Sequence, residues 1–281
     1  MVDQAALQSP DIYGRTHQMD EQTLGVIATR LEARGRHPFF IQTINDYMDA
    51  LALSGPAAIL DLGCGTGVAA RAIARRPEVS ERVTAIDISP HLVAAAQGFA
   101  ADEGLAARIE FRTGDAHGLG LPEGGFDVVV MHTLISHVAD PAAVLDEARH
   151  LLKPGTGRLV VFDGDYASLT FATDAPDGGD ATDALVQRTL VAHPRVMRAM
   201  PRLLAGGGFH LQWSRGYLVS DIGRSDFFGA AITSLRALMP KAGAMSQADA
   251  DAFADALEQT SAENRFFAAS NFYAFLAQGP G

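Results

Sequence analysis

The stretch Ile59-Leu60-Asp61-Leu62-Gly63-Cys64-Gly65-Thr66-Gly67 decides the fold of this 281-residue chain. An apolar run with the makings of a buried strand passes directly into three glycines at alternate positions. Without Cβ atoms the backbone can turn sharply there, and a ligand can lie directly on main-chain atoms at the carboxyl end of a first strand. A dinucleotide pyrophosphate is the first candidate, but its G-x-G-x-x-G fingerprint requires glycine at 68 or 70, where this chain has Val68 and Ala70. Asp61 inside the turn would also repel a pyrophosphate; a carboxylate suits a cationic or amino-bearing ligand.

Working outward, Val83–Ile88 reads as a second strand ending at Asp87, 20 residues after Gly67. An acid at that place can accept both hydroxyls of a ribose. Arg108–Arg112 reads as a third strand, followed by Gly114-Asp115-Ala116, whose carboxylate can accept from an exocyclic amino group. Three acids at the tips of three adjacent strands describe a pocket for a nucleoside with a positive, amino-acid-like tail.

The same alternation of short β-rich runs and amphipathic runs continues to about Val219, which predicts a parallel sheet with crossover helices. Phe126–Met131 and Arg158–Phe162 are the fourth and fifth strands, Phe209–Val219 the sixth and aromatic Phe266–Leu276 the last. Ahead of the sheet, Asp20 caps one helix and Pro38 opens a second, with Phe40, Ile41, Ile44, Met48 and Leu51 inward. Between the last two strands Ser225 and Ser246 cap two more. The expected organisation is a helical lid (1–55), an α/β core (56–219), a helical insertion (220–263) and a closing strand with its tail (264–281).

Composition narrows the class. Nearly half the residues are apolar (48%), enough for a packed core. Lys and Arg number 22 against 33 Asp and Glu, a net −11 that argues against nucleic acid as partner. No apolar run has the length of a membrane helix, and Met1–Asp20 lacks the apolar core of a secretion signal. The single Cys64 excludes an internal disulfide and a cysteine-rich zinc site, and no metal site is expected. The expected setting is cytoplasmic.

Taken in order, Asp61 to Gly67, Asp87, Asp115, Phe126-Asp127-Val128-Val129 and Leu152-Lys153-Pro154-Gly155 resemble the successive motifs of the class I S-adenosylmethionine-dependent methyltransferases of small-molecule type. The resemblance covers roughly Ala57 to Phe162. It implies a Rossmann-like, mostly parallel seven-stranded sheet whose antiparallel last strand lies beside the fifth. It implies S-adenosylmethionine as cofactor, S-adenosylhomocysteine as product, and a cofactor set of Asp61, Gly63, Gly65, Gly67, Asp87, Ile88, Asp115, Ala116 and His132. After the fourth strand this chain has Met131-His132-Thr133-Leu134 in place of the Asn-Pro-Pro-aromatic run of many enzymes that methylate nucleic-acid bases. The expected acceptor is therefore a small, largely apolar metabolite, methylated at oxygen or carbon. A hydroxyl or carbon acceptor needs a base, and His137, Asp163 and Asp165 stand at the ligand end of the sheet. Tyr13, Arg15, Arg36 and His37 are the lid residues placed to cap the site. A non-catalytic binding protein of the same fold, or a protein acceptor, is the rival reading. The apolar faces of the N-terminal helices leave room for a second subunit.

Overall fold

The computed structural model describes residues 11–281. The first ten residues of the expected lid lie outside the described residues.

The sheet has seven strands: β1 (Ile59–Leu62), β2 (Val83–Asp87), β3 (Ile109–Thr113), β4 (Val128–His132), β5 (Arg158–Phe171), β6 (His210–Gly223) and β7 (Phe266–Gln278). Their spatial order is β3-β2-β1-β4-β5-β7-β6, with β7 antiparallel to both of its neighbours and the remaining pairs parallel. β1 and β4 are buried along their whole length, as parallel strands covered by helices on both faces must be, and each carries one polar residue, Asp61 and His132. The chain reverses its direction of winding between β1 and β4. Their loops therefore diverge and leave a crevice at the carboxyl ends of the strands.

Before β1 come a short 3-10 helix (Tyr13–Gln18), α1 (Glu21–Arg36) and α2 (Pro38–Leu51). Asp20 caps α1 by accepting from the Thr23 amide at 2.8 Å, and Pro38 begins α2. The crossover helices are α3 (Val68–Ala74), α4 (Pro90–Asp102) and α5 (Pro141–Leu151), the last two capped by Ser89 and Asp140 ahead of a first-turn proline. Then follow α6 (Asp180–Leu190), α7 (Val196–Gly206), α8 (Gly229–Lys241) and α9 (Gln247–Ala262).

Three expectations are corrected. Ile41 is 48% exposed, because α2 turns only the Phe40, Ile44, Met48 and Leu51 stripe to the core. Ser225 does not cap α8, which starts at Gly229; its amide and hydroxyl bind the Ser261 hydroxyl instead. β5 does not stop at Phe162. It runs on past Asp163-Gly164-Asp165 because β7 supplies backbone partners, Asp163 facing Tyr273 and Thr170 facing Ala269, with a bulge between Asp165 and Thr170.

Candidate active site

The glycine bend after β1 is fastened before any ligand is considered. Gly63 and Cys64 donate to the Ile86 carbonyl at 2.8 and 2.9 Å, and Gly67 donates to the Cys64 carbonyl at 2.8 Å. Gly63 and Gly65 have φ of +75° and +53°, a region glycine enters without the Cβ penalty. A Cβ at Gly63 would also lie 2.5 Å from the Leu134 side chain. Gly67 takes φ +78° as the residue that starts α3.

Asp87 completes the bend. One carboxylate oxygen accepts from the Gly65 amide at 2.8 Å, the other from the Ser89 amide at 2.9 Å. Each keeps a lone pair for a ligand hydroxyl. Burial pushes its pKa above the ordinary value, and the two amides oppose this. Asp115, at the tip of β3, accepts from the His117 amide at 3.0 Å and meets the His117 ring nitrogen at 2.7 Å. Burial raises its pKa, but the His117 contacts outweigh this and leave it below the ordinary value.

Asp61 is different. It is fully buried, and among the described residues neither of its oxygens has a hydrogen-bond partner. Burial pushes its pKa up to about 7; the Ala70 amide, which approaches without completing a hydrogen bond, opposes this, and the Asp87 charge adds to it. A buried carboxylate with nothing to bind is costly, which makes it a place prepared for a cation.

These groups line one cavity of about 440 Å³, within the range of sites that take a small ligand. The cavity brings together Asp61, Gly63, Gly65, Asp87, Ile88, Asp115, Ala116, His132 and His137. Gly67 shapes the bend without lining the cavity. Asp163 and Asp165 are not among the lining residues either. Asp163 is turned inward, where it accepts from the Ser136 amide at 3.0 Å and the Gly164 amide at 2.8 Å. Asp165 is held by Arg198, 2.8–2.9 Å from the guanidinium. The DGD turn expected of the sequence is thus a stretch of strand whose acids serve the protein's own backbone and Arg198.

The two histidines differ in kind. His132 is wedged between Phe40 and Phe162, its Nδ1 3.2 Å from the Tyr47 hydroxyl and its Nε2 buried without a partner. Burial, and then the Arg34 charge, push its pKa down to about 3, so it is neutral. His137 has its Nδ1 2.9 Å from a carboxylate oxygen of buried Asp11. Burial lowers its pKa, but Asp11 and then Asp163 raise it beyond the ordinary value. With Nδ1 engaged, Nε2 is the nitrogen available to a guest, and Tyr13 and Tyr166 flank the ring.

The lid lies over the bend. A Cβ built on Gly65 would come 3.1 Å from Leu31 of α1, and Glu32 of α1 pairs with Arg71 of α3 at 2.7 Å inside the protein. Of the expected lid residues, Tyr13 and Arg15 line the cavity. Arg36 does not and faces solvent beside Glu32, while the His37 ring accepts from the Phe39 amide at the start of α2. Sequence reasoning missed Arg30, Arg34, His117, Thr133 and Tyr166, which also line it. Arg30 and Arg34 fall on the same inward stripe of α1 as Ile27 and Leu31; charges on an otherwise apolar stripe are the signal that could have found them. Thr133 carries φ +59°, strained for a β-branched residue, and nothing in its sequence announces that.

A seven-stranded sheet in this order, a glycine bend at the switch point and an unpartnered acid beneath it define the class I S-adenosylmethionine-dependent methyltransferase fold. Residues 59–155 match the family described as a methyltransferase domain, so the chain carries that domain at the core of its sheet. The ubiquinone biosynthesis O-methyltransferase of Xylella fastidiosa is 36% identical over 117 residues, 41% of this chain and 45% of that protein. The chain thus spans about half the length of the curated relatives it matches. Among solved structures, the [4+2]-cyclase SpnF superposes with a TM-score of 0.63 at 21% identity, over 95% of this chain and 97% of that one. Phosphoethanolamine N-methyltransferase 2 of Haemonchus contortus, in complex with S-adenosyl-L-methionine, superposes with a TM-score of 0.58 at 17% identity, over 99% of this chain and 61% of that one. One of these neighbours is named for a cyclisation, so the fold alone leaves the reaction to the site.

Among the described residues no helix is long and apolar enough to cross a membrane, and no three His, Cys, Asp or Glu side chains gather as a metal site.

Proposed function

We propose that this chain is an enzyme that transfers a methyl group from S-adenosylmethionine to an oxygen or carbon of a small acceptor with an apolar body. Asp61 carries the reading. Asp61 is one of the residues around the cavity, its two oxygens are buried and have no hydrogen-bond partner among the described residues, and a ligand with an α-ammonium group would supply one. The residues present fit that cofactor: Asp61 for the ammonium, the Gly63 and Gly65 backbone for the methionine part, Asp87 for the ribose, Asp115 with Ala116 for the base.

When bound, the cofactor supplies a methyl already made electrophilic by its sulfonium. The chain supplies position and a proton acceptor. α1 and the 3-10 helix cover the bend and keep water from the reacting centre. His137 accepts the acceptor's proton at Nε2, while Asp11 fixes the ring through Nδ1 and stabilises the imidazolium that forms. This pair favours an oxygen or carbon nucleophile, since an amine or thiolate needs no base. Segment 220–263 walls the acceptor side. The charge balance favours a small molecule over nucleic acid.

Calorimetry with S-adenosylhomocysteine tests the assignment. Wild type is expected to bind, and Asp87→Ala to lose on the order of 100-fold in affinity, the scale of two charge-assisted hydrogen bonds. An Asp87→Ala protein with wild-type affinity would overturn the cofactor site. Binding without methyl loss across a broad acceptor panel would favour the non-catalytic reading.

A further inference from the structure

Two arginines on α1 stand apart from the chemistry above. Arg30 donates to the Tyr13 hydroxyl at 2.6 Å, with its guanidinium carbon 5.3 Å from that ring's centroid. Arg34 donates to the Thr133 hydroxyl at 2.9 Å and lies 4.9 Å from the Phe40 centroid. Both are half-buried. Among the described residues no carboxylate pairs with either, although the chain carries 33 acids against 22 bases. Elsewhere buried or half-buried arginines do pair, Arg71 with Glu32 and Arg76 with Asp49 and Glu78. Like charges four residues apart on one helix face repel, and partial burial makes the repulsion worse.

A second, smaller cavity of about 40 Å³ opens beside the first. Its walls are apolar and largely aromatic: Phe171 of β5, Phe227 and Leu235 of the insertion, Phe272 of β7. Arg30 and Arg34 line both cavities, as does Tyr166, which stands edge-on to His137. The guanidinium pair therefore sits where the cofactor cavity meets an aromatic recess, next to the base.

Building on the methyl-transfer reading, we infer that the acceptor is a small organic acid, its anionic head held between Arg30 and Arg34 and its apolar body in the Phe171–Phe227–Phe272 recess. The anion supplies the counter-charge that the pair lacks among the described residues. Guanidinium forks suit a carboxylate head, and a recess of about 40 Å³ suits a short alkyl end. The methionyl carboxylate of the cofactor is the other anion within this chemistry, so the experiment separates the two sources.

The probes are butanoate and its uncharged amide, titrated calorimetrically into full-length protein with and without saturating S-adenosylhomocysteine. The acid is expected to bind at least about tenfold more tightly than the amide. Arg30→Gln and Arg34→Gln are each expected to reduce the acid to the affinity of the amide, with S-adenosylhomocysteine affinity within twofold of wild type. Acid and amide binding alike in wild type overturns the inference, and that comparison needs no variant to fold. Variants that lose S-adenosylhomocysteine while keeping the acid overturn it too, by giving the arginines to the cofactor. A wild-type protein that binds no S-adenosylhomocysteine defeats the methyl-transfer reading, while the acid–amide comparison made without it still decides the clamp.

Discussion

Asp61 is a carboxyl group that the ligand-free fold holds at a disadvantage. Its folded pKa of about 7 lies above the ordinary 3.8, because burial penalises the charged form. Between those pH values the folded chain holds more protons at this site than the unfolded chain does, so stability falls as pH rises and the full penalty stands above pH 7. Its size is on the order of 4 kcal/mol at most. Asp61→Asn is therefore expected to raise the melting temperature of the ligand-free protein more at pH 8 than at pH 5, while weakening S-adenosylhomocysteine. Equal gains at both pH values would show that the carboxylate has a partner after all. His137 is shifted upward too, but because its charged form is favoured rather than its neutral one. Asp11 and Asp163 hold its proton to higher pH than an ordinary imidazole, so a base at Nε2 becomes active only as pH rises past that range. Single-turnover rates should rise through a pKa above 6.5, and Asp11→Asn should move the rise to lower pH and reduce its plateau. A rate that does not change with pH in wild type would remove His137 from proton transfer.

At the scale of elements, the strands that carry the acids were readable because each ends in residue types that suit a ligand: glycine at alternate positions after β1, Asp87 closing β2, Asp115 after β3. Local capping chemistry likewise marked α1, α4, α5 and α9. What was not readable depended on partners distant in the chain. β5 passes Gly164 only because β7 supplies a ladder, and Asp163 and Asp165 are withdrawn from the cavity by Ser136 and Arg198, which no local pattern connects to them. Arg30 and Arg34 line the cavity only because α1 lies on the bend, a contact between segments far apart in the chain. That contact can be tested. A Cβ at Gly35 would fall 2.3 Å from a methyl of Val68, where α1 meets α3. In an open helix Gly→Ala adds about 1 kcal/mol of stability; here the clash should reverse the sign, costing about 1–3 kcal/mol. Gly35→Ala is expected to lower the denaturation midpoint and weaken S-adenosylhomocysteine, and Val68→Ala in the same chain to restore both. A stabilised single variant would mean that α1 does not rest on α3.

For the molecule as a whole, the cavity lies between the sheet edge and the N-terminal elements, so a bound cofactor ties the two together. At a hundred times its dissociation constant S-adenosylhomocysteine should add about 2.7 kcal/mol of stability. In a protein of this size that is a rise of roughly 5–10 °C in melting temperature. A calorimetric scan showing less than a degree would mean that the ligand binds elsewhere or not at all.

Glu32 and Arg71 bear on traffic through this enclosure. For α1 to swing outward they would have to separate inside the protein, at roughly 3–5 kcal/mol. Further toward the N-terminus, His17 and Gln18 already meet water. Asp11 accepts from the Tyr13 and Gly14 amides of this short turn and also meets His137. Any displacement of the turn that carried Asp11 with it would take the carboxylate from the imidazole, so loosening this segment and disarming the base would be a single movement.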